Sequence, residues 1–142
     1  MNKLHDSLQI KITFEYAQIE KELQIIKMLK QILISGNMDG IQLRAAASSL
    51  HSIYNGMEKV LLMKLKYQSI TIISDGNWHA SLLQKATENS IISSVLEMEL
   101  KELMGFRHFY RHSYGFMLDK DLLQPLILQV NAVFDRFIKE IG

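Results

Sequence analysis

The chain has no cysteine and only one proline, Pro125, in 142 residues. Without thiols there can be neither a disulfide framework nor a thiolate metal site, a composition that suits a reducing cytosol. Long apolar runs are missing as well. Val60-Leu61-Leu62-Met63 is representative, whereas a helix needs roughly 20 consecutive apolar residues to cross a bilayer. The stretch from Met1 to Ile12 carries Asp6 among polar residues and has no apolar core of the kind a signal peptide needs. A soluble, cytoplasmic protein with no membrane partner is the expectation. An excess of one charge is also absent: 16 Lys and Arg face 15 Asp and Glu, for a net charge of +1. That balance does not fit a long electrostatic track for nucleic acid. Strand alternation, internal repeats and low-complexity segments are not visible, and the length suits one domain over residues 1–142 with a single core.

Helical periodicity fills the rest. Ile12, Tyr16, Ile19, Leu23, Ile26, Leu29 and Leu33 step by three or four and predict an amphipathic helix. Ser35-Gly36-Asn37 should stop it. A second helix runs through Leu43, Ala46, Leu50, Ile53, Met57, Val60 or Leu61, and Leu65, with Lys59, Lys64 and Lys66 outside. Ile70-Thr71-Ile72-Ile73 reads as an extended connector, because no partner strand exists. Asp75-Gly76-Asn77 reads as a turn, with Asn77 a candidate N-cap for a short helix from Trp78 to about Thr87. A longer helix is expected from about Ser90 through Leu103. For the last helix, Asp121 is the favoured cap over Asp119, because that choice keeps Pro125 near the first turn, where N–H groups have no intrahelical partner. Its inward face is Leu126, Val130, Val133 or Phe134, Phe137 and Ile141. The expected fold is all-α, an up-down bundle of four to five helices. The doublets Ile25-Ile26, Leu61-Leu62 and Leu82-Leu83 widen the apolar stripes beyond one face. A symmetric homodimer is the preferred explanation, and a thick core the alternative.

Chemistry concentrates in one place. Residues Gly105 to Tyr114 hold two arginines, two histidines and two tyrosines, including two of the five histidines and two of the five tyrosines in the chain. Glu97, Glu99 and Glu102 precede this basic segment, and Asp119 and Asp121 follow it. A local positive spot on a balanced surface fits a focused phosphate site. Within it, Arg107, His112 and Tyr114 form the pattern Arg-x4-His-x-Tyr.

This pattern, near the end of the third long helix of an all-α chain, resembles the HEPN superfamily and more closely the HepT toxins of minimal-nucleotidyltransferase toxin–antitoxin systems. Gly56-Met57-Glu58-Lys59 on the second helix, Trp78-His79 opening the short one, and Phe106-Arg107 before an aromatic turn extend the likeness over nearly the whole chain. His108 departs from the family pattern, which usually has a small polar residue after the arginine, and its role is left open. The resemblance implies a HEPN-type bundle that acts as a homodimeric, metal-independent endoribonuclease toxin of a type VII-like system, cutting tRNA or mRNA. It implies a cognate nucleotidyltransferase antitoxin that adenylylates Tyr114, and no cofactor. An AMP diester there would place negative charge and a bulky base where the RNA phosphate binds.

Metal-free RNA cleavage needs a base for the 2′-hydroxyl and a cation for the dianionic phosphorane. His112 suits the first role and Arg107 the second. The acid for the leaving oxygen is left between His108 and a second copy's His112. Tyr110 and Arg111 are candidate RNA contacts. Residues five apart on a helix lie about 140° apart around its axis, so Arg107 and His112 share a face only if the helix ends or distorts between them, or if two chains build the site. Arg107, Arg111 and Tyr114 would share one stripe, and His108 and His112 another.

Plainer roles exist for each residue. Arg107 could be a helix C-terminal cation, His112 an interface residue, and Tyr114 an amphipathic core residue. His108 and His112 have metal-ligand spacing, but no HExxH glutamate and no third ligand accompanies them, so no metal is expected. His5, His51 and His79 read as surface or helix-end residues, and Trp78 as a core anchor. A HEPN-like bundle can also be a non-catalytic substrate-binding partner of a nucleotidyltransferase, or a purely structural helical dimer.

Overall fold

The computed structural model describes residues 3–73 and 75–142. Five helices account for most of them: α1 (Lys3–Ser35), α2 (Gly40–Tyr67), α3 (Trp78–Glu88), α4 (Ser94–His112) and α5 (Lys120–Ile141), with a single 3₁₀ turn at Gly115–Met117. No strand occurs among the described residues, and Ile70–Ile73 forms the expected extended connector. Each long helix follows its apolar period. The buried residues of α1 include Ile12, Ile19, Leu23, Ile26, Leu29 and Leu33, and those of α5 include Leu126, Val130, Phe137 and Ile141 together with both Val133 and Phe134. Fully burying one such side chain is worth about 1.5–3 kcal/mol, and together they form one contiguous core.

The ends of the helices follow local chemistry. Gly36 takes φ +80° just past α1, a conformation that favours glycine. Asp39 caps α2 by accepting the N–H of Gln42, whose side chain accepts the N–H of Asp39 in return. Two boundaries differ from the sequence expectation, and one expected cap lacks its side-chain bond. α4 starts at Ser94, not Ser90, because Ser90 turns to φ +58° and the Ser93 hydroxyl caps the helix by accepting the N–H of Leu96. Glu140 of α5 then accepts both the N–H and the hydroxyl of Ser93, at 2.6 and 2.8 Å, and ties the start of α4 to the last helix. Asn77 occupies the N-cap position of α3 without a side-chain cap, while Asp75 accepts the N–H of Asn77. α5 is capped by Asp119, which accepts the N–H of Asp121, so Pro125 lies inside the helix beyond its first turn. Pro125 and Asp121 are both exposed, so the Asp121 carbonyl that the proline leaves without an N–H partner sits on the solvent side.

α2 is the central helix, packed against all four others. Gly56 lets α1 come close: a Cβ there would sit 2.7 Å from a side-chain carbon of Ile19. Leu61, Leu82 and Leu83 are fully buried and Ile25 is 41% exposed. The widened stripes at Leu61 and Leu82-Leu83 are therefore filled within one chain, by the thick core that was the alternative reading. No helix among the described residues is long and apolar enough to cross a membrane.

Candidate functional site

α4 carries Arg107 and His112 of the motif on one unbroken helix. Leu96, Leu100, Leu103 and Phe106 bury its inner face against the core, which fixes the rotation of everything that follows. Arg107, one residue past Phe106, is turned toward α2. It is half-buried, and its Nε donates to Asn55 Oδ1 at 3.0 Å. Lying five residues before the helix end, it is not a last-turn cation; Arg111 and His112 occupy that turn. His108 and His112 are exposed on the outer face, with ring centroids 4.6 Å apart.

The helix neither ends nor bends between Arg107 and His112. One copy of the chain therefore keeps the two groups on different faces. The expected stripe of Arg107, Arg111 and Tyr114 is interrupted, because α4 ends at His112 and Tyr114 sits in extended backbone beyond it. Tyr114 is 70% exposed, which removes its reading as a core residue.

The sequence reading named Glu58 and His79 only as part of the family likeness and gave no role to the polar groups that α2 and α3 bring to this region. Asn55 also places its amide nitrogen 3.5 Å from the ring of His51, one helical turn earlier. His51 is half-buried, not a surface or helix-end residue, and stacks on Tyr110 with centroids 4.8 Å apart. Burial lowers its pKa, the charges of Arg107 and Arg111 lower it further, and Glu58 partly opposes them. Glu58 is buried at 4% exposure, and its Oε2 accepts from His79 Nδ1 at 2.6 Å. His79, the second residue of α3, is a helix-end residue as expected, but a half-buried one: its ring lies between Glu58 and Trp78, whose ring centroid is 3.7 Å away. Trp78 packs on the core as expected. Tyr54, fully enclosed one turn before Glu58, has its hydroxyl pKa pushed far up by burial and by the nearby carboxylate. A signal for this network was present. His51, Asn55 and Glu58 fall at i, i+4 and i+7, a polar stripe along a helix whose neighbouring stripes are apolar.

Two cavities flank α4. One, of about 380 Å³, is lined by Arg107, His108 and His79 beneath the Gly76-Asn77 turn. The other, of about 330 Å³, is lined by Arg44, Tyr110 and Tyr114 at the end of the helix. Gly115 makes room for Arg44 there, since a Cβ would come within 2.9 Å of its Nε. His112 and Arg111 line neither cavity. No group of three or more His, Cys, Asp or Glu side chains that could hold a metal ion occurs among the described residues. The arrangement offers a permanent cation and two imidazoles at one cavity, and a second cation beside a tyrosine hydroxyl at the other. These are groups able to bind phosphate, move protons and accept a transferred group. A family model described as HepT-like protein matches residues 45–142, most of α2 and everything after it. No curated protein and no solved structure matches the chain.

Proposed function

The chain belongs to the HepT-like family, and on that premise we propose that it is the toxin of a toxin–antitoxin pair, a metal-independent endoribonuclease silenced by adenylylation of Tyr114. The observation that carries the reading is the setting of Arg107. A guanidinium held by Asn55 at the edge of a cavity that also contains imidazoles is preorganised to receive a phosphodiester. Preorganised charge of this kind stabilises the extra negative charge of a phosphorane without rearranging during the reaction.

His112 is the general base, and it works on the RNA held by the Arg107 of a second copy. The unbroken α4 supports this division of the site between two chains. Residues 1–142 act as one HEPN domain in a homodimer, with Tyr110 and Arg111 contacting the RNA. Tyr114 is exposed and stands beside the cavity that holds Arg44, an address open to a nucleotidyltransferase. Its adenylylation transfers AMP from ATP to the phenolic oxygen and releases pyrophosphate. The added phosphodiester and adenine would then compete for the ground that the RNA backbone needs.

His112→Ala and Arg107→Ala should each lower the rate of RNA cleavage by about 10²–10⁴. Full cleavage by pure His112→Ala protein would remove the catalytic assignment. Co-expression with a cognate nucleotidyltransferase antitoxin should raise the intact mass by whole AMP units, and Tyr114→Phe should abolish the gain.

A second reading, a non-catalytic partner that binds nucleic acid for a nucleotidyltransferase, is favoured by one observation: within a single chain His112 lies outside the cavity of Arg107. Wild-type protein that binds RNA and leaves it uncut would select that reading.

A further inference from the structure

Resting on the ribonuclease reading above, we propose that His79, braced by Glu58, is the general acid that protonates the leaving oxygen. Three observations meet at this residue. His79 lines the same cavity as Arg107, so a phosphate held by the guanidinium lies within that imidazole's surroundings. Its Nδ1–H is committed to Glu58 Oε2 at 2.6 Å, which fixes the ring orientation and leaves Nε2 as the nitrogen available for chemistry. Glu58 is itself buried, and a buried carboxylate behind an imidazole is the arrangement that orients a histidine and balances its positive charge in proton transfer.

The competing candidates fit less well. His108 lines the cavity too, but it is exposed and leans on His112 across the outer face of α4, with no carboxylate behind it in any described hydrogen bond or ion pair. A second copy's His112 cannot serve as acid at the site where it already serves as base. His79 removes that conflict, because it comes from α3 of the chain that supplies Arg107. The charged and titratable groups around it are Glu58 and Tyr54 from α2 and Arg107 and His108 from α4.

The step balances without an added reagent. The 2′-oxygen attacks phosphorus while its proton passes to the imidazole of His112. The bond from phosphorus to the 5′-oxygen breaks, its electron pair stays on that oxygen, and His79 Nε2 gives the oxygen a proton. The products are a 2′,3′-cyclic phosphate and a 5′-hydroxyl, and the two imidazoles exchange protons with water to reset.

The test changes the leaving atom. An RNA oligonucleotide spanning the dominant wild-type cut in total cellular RNA is made in two forms, with oxygen or with sulfur bridging phosphorus to the 5′-carbon at that cut. A thiolate leaves without an acid. His79→Asn keeps an amide donor for Glu58 but cannot carry the proton. It should cut the oxygen form about 10²–10⁴-fold more slowly than wild type, and the sulfur form within about tenfold of it. Glu58→Gln, which keeps the imidazole, should show a smaller loss that sulfur also relieves, and it provides a second variant should His79→Asn fail to fold. Equal losses on both forms would make His79 a structural residue and overturn the proposal while leaving the ribonuclease reading intact, as would undiminished cutting of the oxygen form. Absence of any cut by wild-type protein would instead overturn the ribonuclease reading, and this proposal with it.

Discussion

α2 faces two neighbours with opposite chemistry. Toward α1 it offers Gly56 and apolar residues, and Ile19 packs into the space where a Cβ would stand. Toward α3 and α4 it offers His51, Asn55 and Glu58, which engage Tyr110, Arg107 and His79. The first seam is held by contacts that need only the right shape and polarity. The second is held by specific donors and acceptors, each of which leaves a costly orphan when its partner is lost. What α1 adds is mostly packing, whereas α3 and α4 add, beside their buried Leu82, Leu83, Leu96, Leu100 and Leu103, polar groups held in place by specific partners.

Three changes sharpen that contrast. The largest effect is expected from His79→Ala, which leaves the Glu58 carboxylate buried without its imidazole. Breaking a buried pair from one side costs about 3 kcal/mol, readable as a lower urea midpoint at neutral pH. A loss below about 1 kcal/mol would put the pair in the class of surface contacts. Where α1 meets α5 the sign reverses. The Tyr16 hydroxyl is buried with no hydrogen-bond partner among the described residues, and burial raises its pKa to about 12. Its ring meets Phe134 and Phe137 edge-on. Tyr16→Phe should keep those contacts and stabilise the fold by about 1 kcal/mol, measured as a higher melting temperature. The smallest effect belongs to His51. Its folded pKa lies below its ordinary value, so neither state is protonated at high pH and the group contributes nothing there. Below pH ~6.5 the unfolded chain takes up a proton that the folded chain resists, and stability falls. His51→Gln should flatten the decline in melting temperature between pH 7 and 5, and an unchanged slope would assign the decline to other groups.

The same contrast decides what could be read in advance. Ile12 through Leu33 on α1 and Leu126 through Ile141 on α5 were legible because burial repeats with the helix, and a repeating cause leaves a repeating mark. The motif at Arg107, His112 and Tyr114 was legible because its chemistry is dense. The roles of His51 and His79 were not, since each meets a partner far along the chain: Tyr110 of α4 stacks on His51, and Glu58 lies 21 residues before His79. The cap of α5 was misassigned for a local reason. Asp119 and Asp121 can each cap a helix, and the penalty for Pro125 favoured the later one. An exposed proline is tolerated further along a helix when the carbonyl it orphans is on the solvent side.

The rod-like continuity of α4 from Ser94 to His112 has a genetic corollary. If the site is shared between two copies as proposed, two disabled alleles, one lacking the guanidinium and the other the imidazole, would rescue each other in the same cell. A mixed pair would contain one doubly defective centre and one in which both groups are intact.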